Sequence, residues 1–170
     1  PTRRSSDLEI LNISINIGST NTAYPIYISD SINTEISGKI TINATDLSHA
    51  AYITQTAPDK TGNITLSGIE AIINTNNIKA IETDNIHDIT IENSLYMLEG
   101  SNITAINLSD ATGITINNIT VQIKSTDNAS ILTFDNTTNA NITNSEFTSN
   151  IGEGLLIDSS RDVLVDNNYI

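Results

Sequence analysis

A short apolar word recurs along this chain at a nearly fixed interval, and that interval limits the fold more than any other feature. The word reads Ile15-Asn-Ile17, Ile40-Thr-Ile42, Ile64-Thr-Leu66, Ile89-Thr-Ile91, Ile114-Thr-Ile116, Ala140-Asn-Ile142 and Val163-Leu-Val165. From each word to the next the step stays close to the same value, roughly 25 positions, as in a solenoid repeat. Strict alternation of apolar and polar side chains marks a half-buried strand. A fixed period with small drift marks stacked units, none of which can bury its own apolar face alone.

A second set of strands runs ahead of the word in the later repeats, at Ile81 with Thr83, Ile106 with Leu108, Leu132 with Phe134 and Leu155 with Ile157. Polar turns such as SDATG (109–113), DNTTN (135–139) and DSSRD (158–162) separate the two sets. A third short strand fits after the word, at 119–123 and 147–151. No stretch holds a helical period, so helices have no claim. Composition agrees, because the chain has 31 Ile against 11 Leu, and branching at Cβ suits a pleated surface.

Two solenoids fit this period, the leucine-rich repeat and the right-handed parallel β-helix. The leucine-rich pattern puts its Asn three positions after the last strand Leu; here Asn93, Asn118, Asn144 and Asn167 follow the second apolar residue by two. The expected fold is therefore all-β, a right-handed parallel β-helix solenoid of about seven coils of about 25 residues. On strict alternation those four Asn point inward, where a ladder of carboxamides ~4.8 Å apart satisfies its own members. Asn118 is then expected to be buried and to bond both Asn93 and Asn144. The same position in the first three repeats holds Ser19, Ala44 and Gly68, so the ladder is expected to begin at the fourth coil.

With a formal charge of -13 and only seven Lys and Arg, the chain offers no phosphate-tracking groove, which argues against nucleic acid as a partner. It has no Cys, hence no disulfide or thiolate metal site. No apolar run is long enough to insert into a membrane as a helix.

Carboxylates and histidines are the natural places to look for chemistry. Asp84, Ser109, Asp135 and Asp158 form one column after the leading strand; Asp88, Gly113, Asn139 and Asp162 form another before the word. The first could make a ligand or cation edge, but Asp and Asn also populate turns because their side chains bond nearby backbone. His49 and His87 lie far apart in the repeat, and His87 reads as a solvated turn residue. Thr41, Thr65, Thr90 and Thr115 form an outward column that fits exposed strand sites. Nine N-x-S/T sequons occur, Asn118 among them. No catalytic residue, metal site or cofactor is expected.

The words ITIENS, ITINNI and VLVDNN, with SSRDVLVDNNYI at the end, resemble the β-helix repeats of the pectate-lyase-like superfamily over about residues 9–170. The Ile, Asn and Thr bias is similar to that of adhesin-like surface proteins of methanogenic archaea. That resemblance implies a structural stalk or adhesin-like segment, extracellular and at a cell surface, whose partners would be host or cell-wall glycans or surface proteins. The alternative it implies is a portion of a β-helix polysaccharide lyase or glycoside hydrolase whose active coils lie elsewhere. The polygalacturonase-like signatures (NTD, a DD pair, G-H-G, R-I-K) and the calcium-binding G-G-x-G-x-D repeat are absent, so no catalytic residue carries over. Residues 1–8, PTRRSSDL, look like a translated sequencing adapter and hold two of the three Arg; residues 9–170 are expected to be the β-helix proper, incomplete at both ends.

Overall fold

The computed structural model describes residues 13–17, 24–44, 49–56 and 61–170. The sequence dictates short strands broken by bends, and the strands stack in parallel into three columns. The first column comprises Ile32–Ile36, Gly62–Ser67, His87–Glu92, Thr112–Asn117, Thr138–Thr143 and Arg161–Asp166. The second comprises Ile13–Ile17, Ile40–Ala44, the first halves of Ile69–Asp84 and Leu95–Ser109, then Thr120–Ser125 and Glu146–Ser149. The third comprises Ile26–Ser29, Ala51–Thr54, the second halves of the same two long strands, Ala129–Asp135 and Glu153–Asp158. The chain visits second, third and first column in turn, as a β-helix requires. Each column holds six strands, about five turns among the described residues where about seven coils were expected.

The words at 64–66, 89–91, 114–116, 140–142 and 163–165 do stack in one column: Ile64 pairs with Ile89, Ile89 with Ile114, Ile114 with Ala140 and Ala140 with Val163. Ile91, Ile116 and Ile142 are fully buried above one another, and Val165 packs against them. Where the first two words sit is a correction. Ile13 pairs with Ile40 and Ile40 with Ile69, so both words belong to the second column. The true first-column partner of Ile64 is Thr34, further back in the chain than the repeat interval reaches. Early coils are longer, and since all three columns carry I-x-I words, a search for the word falls into whichever column lies one nominal interval away. Thr41 leaves the threonine column for the same reason, facing Glu70; the outward column runs Glu35, Thr65, Thr90, Thr115, Asn141, Leu164. The strands after the word are found at Thr120–Ser125 and Glu146–Ser149.

Between coils the inward side chains form one apolar column along the axis, with Tyr96, Phe134 and Phe147 as its largest wholly buried members. Burial pushes the Tyr96 phenol upward. Later coils place two successive buried residues at the start of the third column, Ala80–Ile81, Ala105–Ile106 and Ile131–Leu132. The outward residues flanking each pair therefore lie three apart rather than two.

The bends explain the polar composition. One bend column reads Gly38, Gly68, Asn93, Asn118, Asn144, Asn167, all with positive φ, 50° to 53° at the Asn. Only Gly, and next to it Asn and Asp, tolerates this left-handed conformation at low cost. A Cβ at Gly68 would stand 2.1 Å from the carbonyl oxygen of Gly38. Two more left-handed columns hold Asn85, Asp110, Asn136, Ser159 and Asn33, Asn63, Asp88, Gly113, Asn139, Asp162.

The Asn ladder exists but faces water, which corrects the inward assignment. Asn93, Asn118, Asn144 and Asn167 are exposed, because the left-handed residue resets the alternation of the strand and the following residue turns inward instead. Asn118 Nδ2 donates to Asn93 Oδ1 at 2.8 Å and Asn167 Nδ2 to Asn144 Oδ1 at 2.6 Å, whereas Asn144 Nδ2 donates to Asn117 Oδ1 at 2.9 Å and bypasses Asn118. The ladder does start at the fourth word, after two Gly; Ser19 lies outside the described residues. The inward polar position is one residue later. Ser94 and Ser145 are buried there, where each hydroxyl accepts the N–H of the coil below (Ile69, Ile119) and donates to a carbonyl two positions back.

Candidate functional site

Two outward regions gather side chains capable of recognition. The first is the bend edge beside the third column. Strand register brings Asp84, Ser109, Asp135 and Asp158 into one line, as the spacing requires, and all three Asp are exposed. Beside them a shallow groove is lined by Asp84, Asn85, Asp110, Thr112, Asn136 and Thr138. Asp110 Oδ1 accepts from Asn136 Nδ2 at 2.5 Å, which spends that carboxylate on holding adjacent coils together. Among the described residues no three His, Asp or Glu side chains converge as a metal site needs. His49 and His87 occupy different columns. His87 is half-buried rather than a free turn residue; its ring covers Gly62 of the coil before, and Nδ1 meets Asp88 Oδ2 at 3.0 Å.

The second region is the outward face of the third column in the early coils, which the spacing of carboxylates does not reveal. Tyr27, Tyr52, Glu82, Asn107 and Thr133 succeed one another in register. Three positions before them, on the same outward side, stand Tyr24, His49, Lys79, Thr104 and Ser130. Four rings meet there: Tyr24, Tyr27, His49 and Tyr52 have centroids 5.3 to 5.9 Å apart, tilted by 29° to 47°. Glu82 lies directly after Tyr52 in the stack. His49 Nε2 and Glu82 Oε2 are 2.5 Å apart, Lys79 Nζ donates to Glu82 Oε1, and Asn107 Nδ2 reaches the same oxygen at 3.5 Å. The His49 hydrogen bond first, and then Lys79, outweigh partial burial and hold the Glu82 carboxyl down to about 2. A carboxylate held this low stays ionised at neutral pH and is no proton donor. The signal for this cluster was present as aromatic side chains one repeat interval apart, Tyr24 to His49 and Tyr27 to Tyr52.

No protein-family model matches the chain, and neither a curated protein nor a solved structure is detectably similar to it.

Proposed function

We propose that this chain is a segment of a non-enzymatic stalk or adhesin-like protein, extracellular and displayed at a cell surface. One observation carries the reading: many of the bend asparagines bond their side chains to a neighbouring coil. Asn63 donates to Asn33, Asn102 to Asn77, Asn128 to Asn102 and Asn136 to Asp110, in addition to the ladder through Asn118. Such bonds add stiffness to the stack. With six strands per column at ~4.8 Å, the described coils make a rigid unit ~24 Å long, suited to repetition as a spacer. Host or cell-wall glycans and surface proteins are the partners such a spacer would present itself to.

Cleavage of a polysaccharide needs a positioned acid or base, and the charge at Glu82 is already shared between His49 and Lys79. Purified protein is expected to release no reducing or unsaturated ends from pectate or alginate. Cleavage that disappears in Asp135→Asn, Asp158→Asn or Arg161→Ala would replace the stalk reading with that of a lyase or hydrolase.

A further inference from the structure

We infer that the tyrosine–histidine face of the third column is a binding platform for a neutral glycan chain lying along the stack. The inference rests on the stalk reading in that it assigns the spacer a ligand. Aromatic residues are scarce, with five Tyr, two Phe and no Trp in 170 residues. Tyr96, Phe134 and Phe147 disappear into the core, yet Tyr24, Tyr27 and Tyr52 gather outside, on successive coils. Tyr24 and Tyr27 remain 42% and 56% exposed. Outward strand positions elsewhere are mostly Thr, Asn, Ser and Glu, so fold stability does not require three rings here.

The surroundings of the rings select the ligand. Sugars present one face of C–H groups to an aromatic ring while their hydroxyls seek donors and acceptors, and this face supplies both. Beyond the rings, Lys79, Glu82, Asn107 and Thr133 continue in line along the axis with donor and acceptor atoms. A few polar groups beside an aromatic floor are the usual make-up of a recognition site. His49, held by Glu82, packs tilted against Tyr24 and Tyr52 and sets the ring positions in advance, which lowers the ordering cost of binding. Other occupants fit less well. Two half-exposed tyrosines offer on the order of 200 Å², far below the ~800 Å² per partner of a stable protein interface. Nucleic acid and polyuronate meet a net charge of -13. A cation finds the Glu82 carboxylate already paired.

The test is affinity electrophoresis of the whole chain through gels containing hydroxyethylcellulose, mannan, laminarin or, as the acidic arm, polygalacturonate. At least one neutral polymer should retard the protein, and polygalacturonate should retard it less. Tyr27→Ala and Tyr52→Ala should each weaken retardation about tenfold. Tyr27→Phe, which keeps the ring, should stay within about threefold, and unchanged circular dichroism would show that the stack is intact. Absence of retardation by every neutral polymer, or retardation unaffected by both Ala variants, overturns the platform. Reducing ends assayed in the same gels separate the two readings. Retardation by a neutral polymer without cleavage supports both, such retardation with cleavage removes the stalk but keeps the platform, cleavage without it removes both, and a rod that neither binds nor cleaves keeps the stalk alone.

Discussion

Replacing Asn118 separates two reasons for an asparagine at the bend. If the side chain were a buried ladder member, any truncation would strand amides in the core, so Asn118→Gly and Asn118→Ala would be equally harmful. The structure puts the residue in water at φ 52°, with one hydrogen bond of 2.8 Å to Asn93. Asn118→Ala then loses that bond, worth ~0.5 kcal/mol where water can replace it, and must hold a Cβ-bearing residue without a local amide in the left-handed region, at ~1 kcal/mol or more. The total is ~1 to 2 kcal/mol. Asn118→Gly loses the same bond but adopts the conformation without strain, so its net effect should stay within ~0.5 kcal/mol, unfolded-chain entropy included. For a chain of this size ~1 kcal/mol moves the melting midpoint by about 2 to 4 °C. Thermal melts followed by circular dichroism should therefore show Ala below wild type by ~2 to 8 °C and Gly within ~2 °C. Asn117→Ala, which at first sight touches nothing, removes an acceptor for both Thr143 Oγ1 at 3.1 Å and Asn144 Nδ2 at 2.9 Å, and should cost ~1 kcal/mol. A Gly variant as unstable as the Ala variant would refute the argument from backbone conformation.

Ile116 is wholly buried between Ile91 and Ile142, so Ile116→Ala should cost ~2 to 5 kcal/mol, read as a shift of the urea midpoint. Gly68→Ala would drive a Cβ to 2.1 Å from the Gly38 carbonyl oxygen at φ +75°, and should destabilise by more than the ~1 kcal/mol of an ordinary left-handed substitution; a neutral melt would show that the early coils pack differently. The Glu82 carboxyl, lowered from 4.5 to about 2 in the folded chain, contributes stability that is complete above pH 4.5 and is lost as pH falls toward about 2. Melts across that window should lose this component in Glu82→Gln.

Strand alternation and the recurring word, with Ile far exceeding Leu and no helical period, were enough, without any coordinates, to favour a parallel β-helix over a leucine-rich repeat, with the inward Ile91–Ile116–Ile142 stack and the strands after each bend. They were enough because alternation within a strand and the longer period between strands are both written in local side-chain chemistry. Three matters depended on the tertiary structure. Which column the words at 15–17 and 40–42 join depends on coil length, and the longer early coils place them on the second column. The direction of Asn93, Asn118, Asn144 and Asn167 depends on backbone dihedrals, since one left-handed residue reverses the phase that alternation assumes. The line of Asp84, Asp135 and Asp158 was legible, because it follows from register alone. The alignment of Tyr24 with His49 and of Tyr27 with Tyr52 was legible too, one interval apart; the convergence of these four with one another and with Glu82 was not, because it needs both the lengthened step from Tyr52 to Glu82 and the paired buried residues that place outward side chains three apart. Spacing along a chain fixes what repeats; only closure of each coil onto the next decides which unlike residues become neighbours.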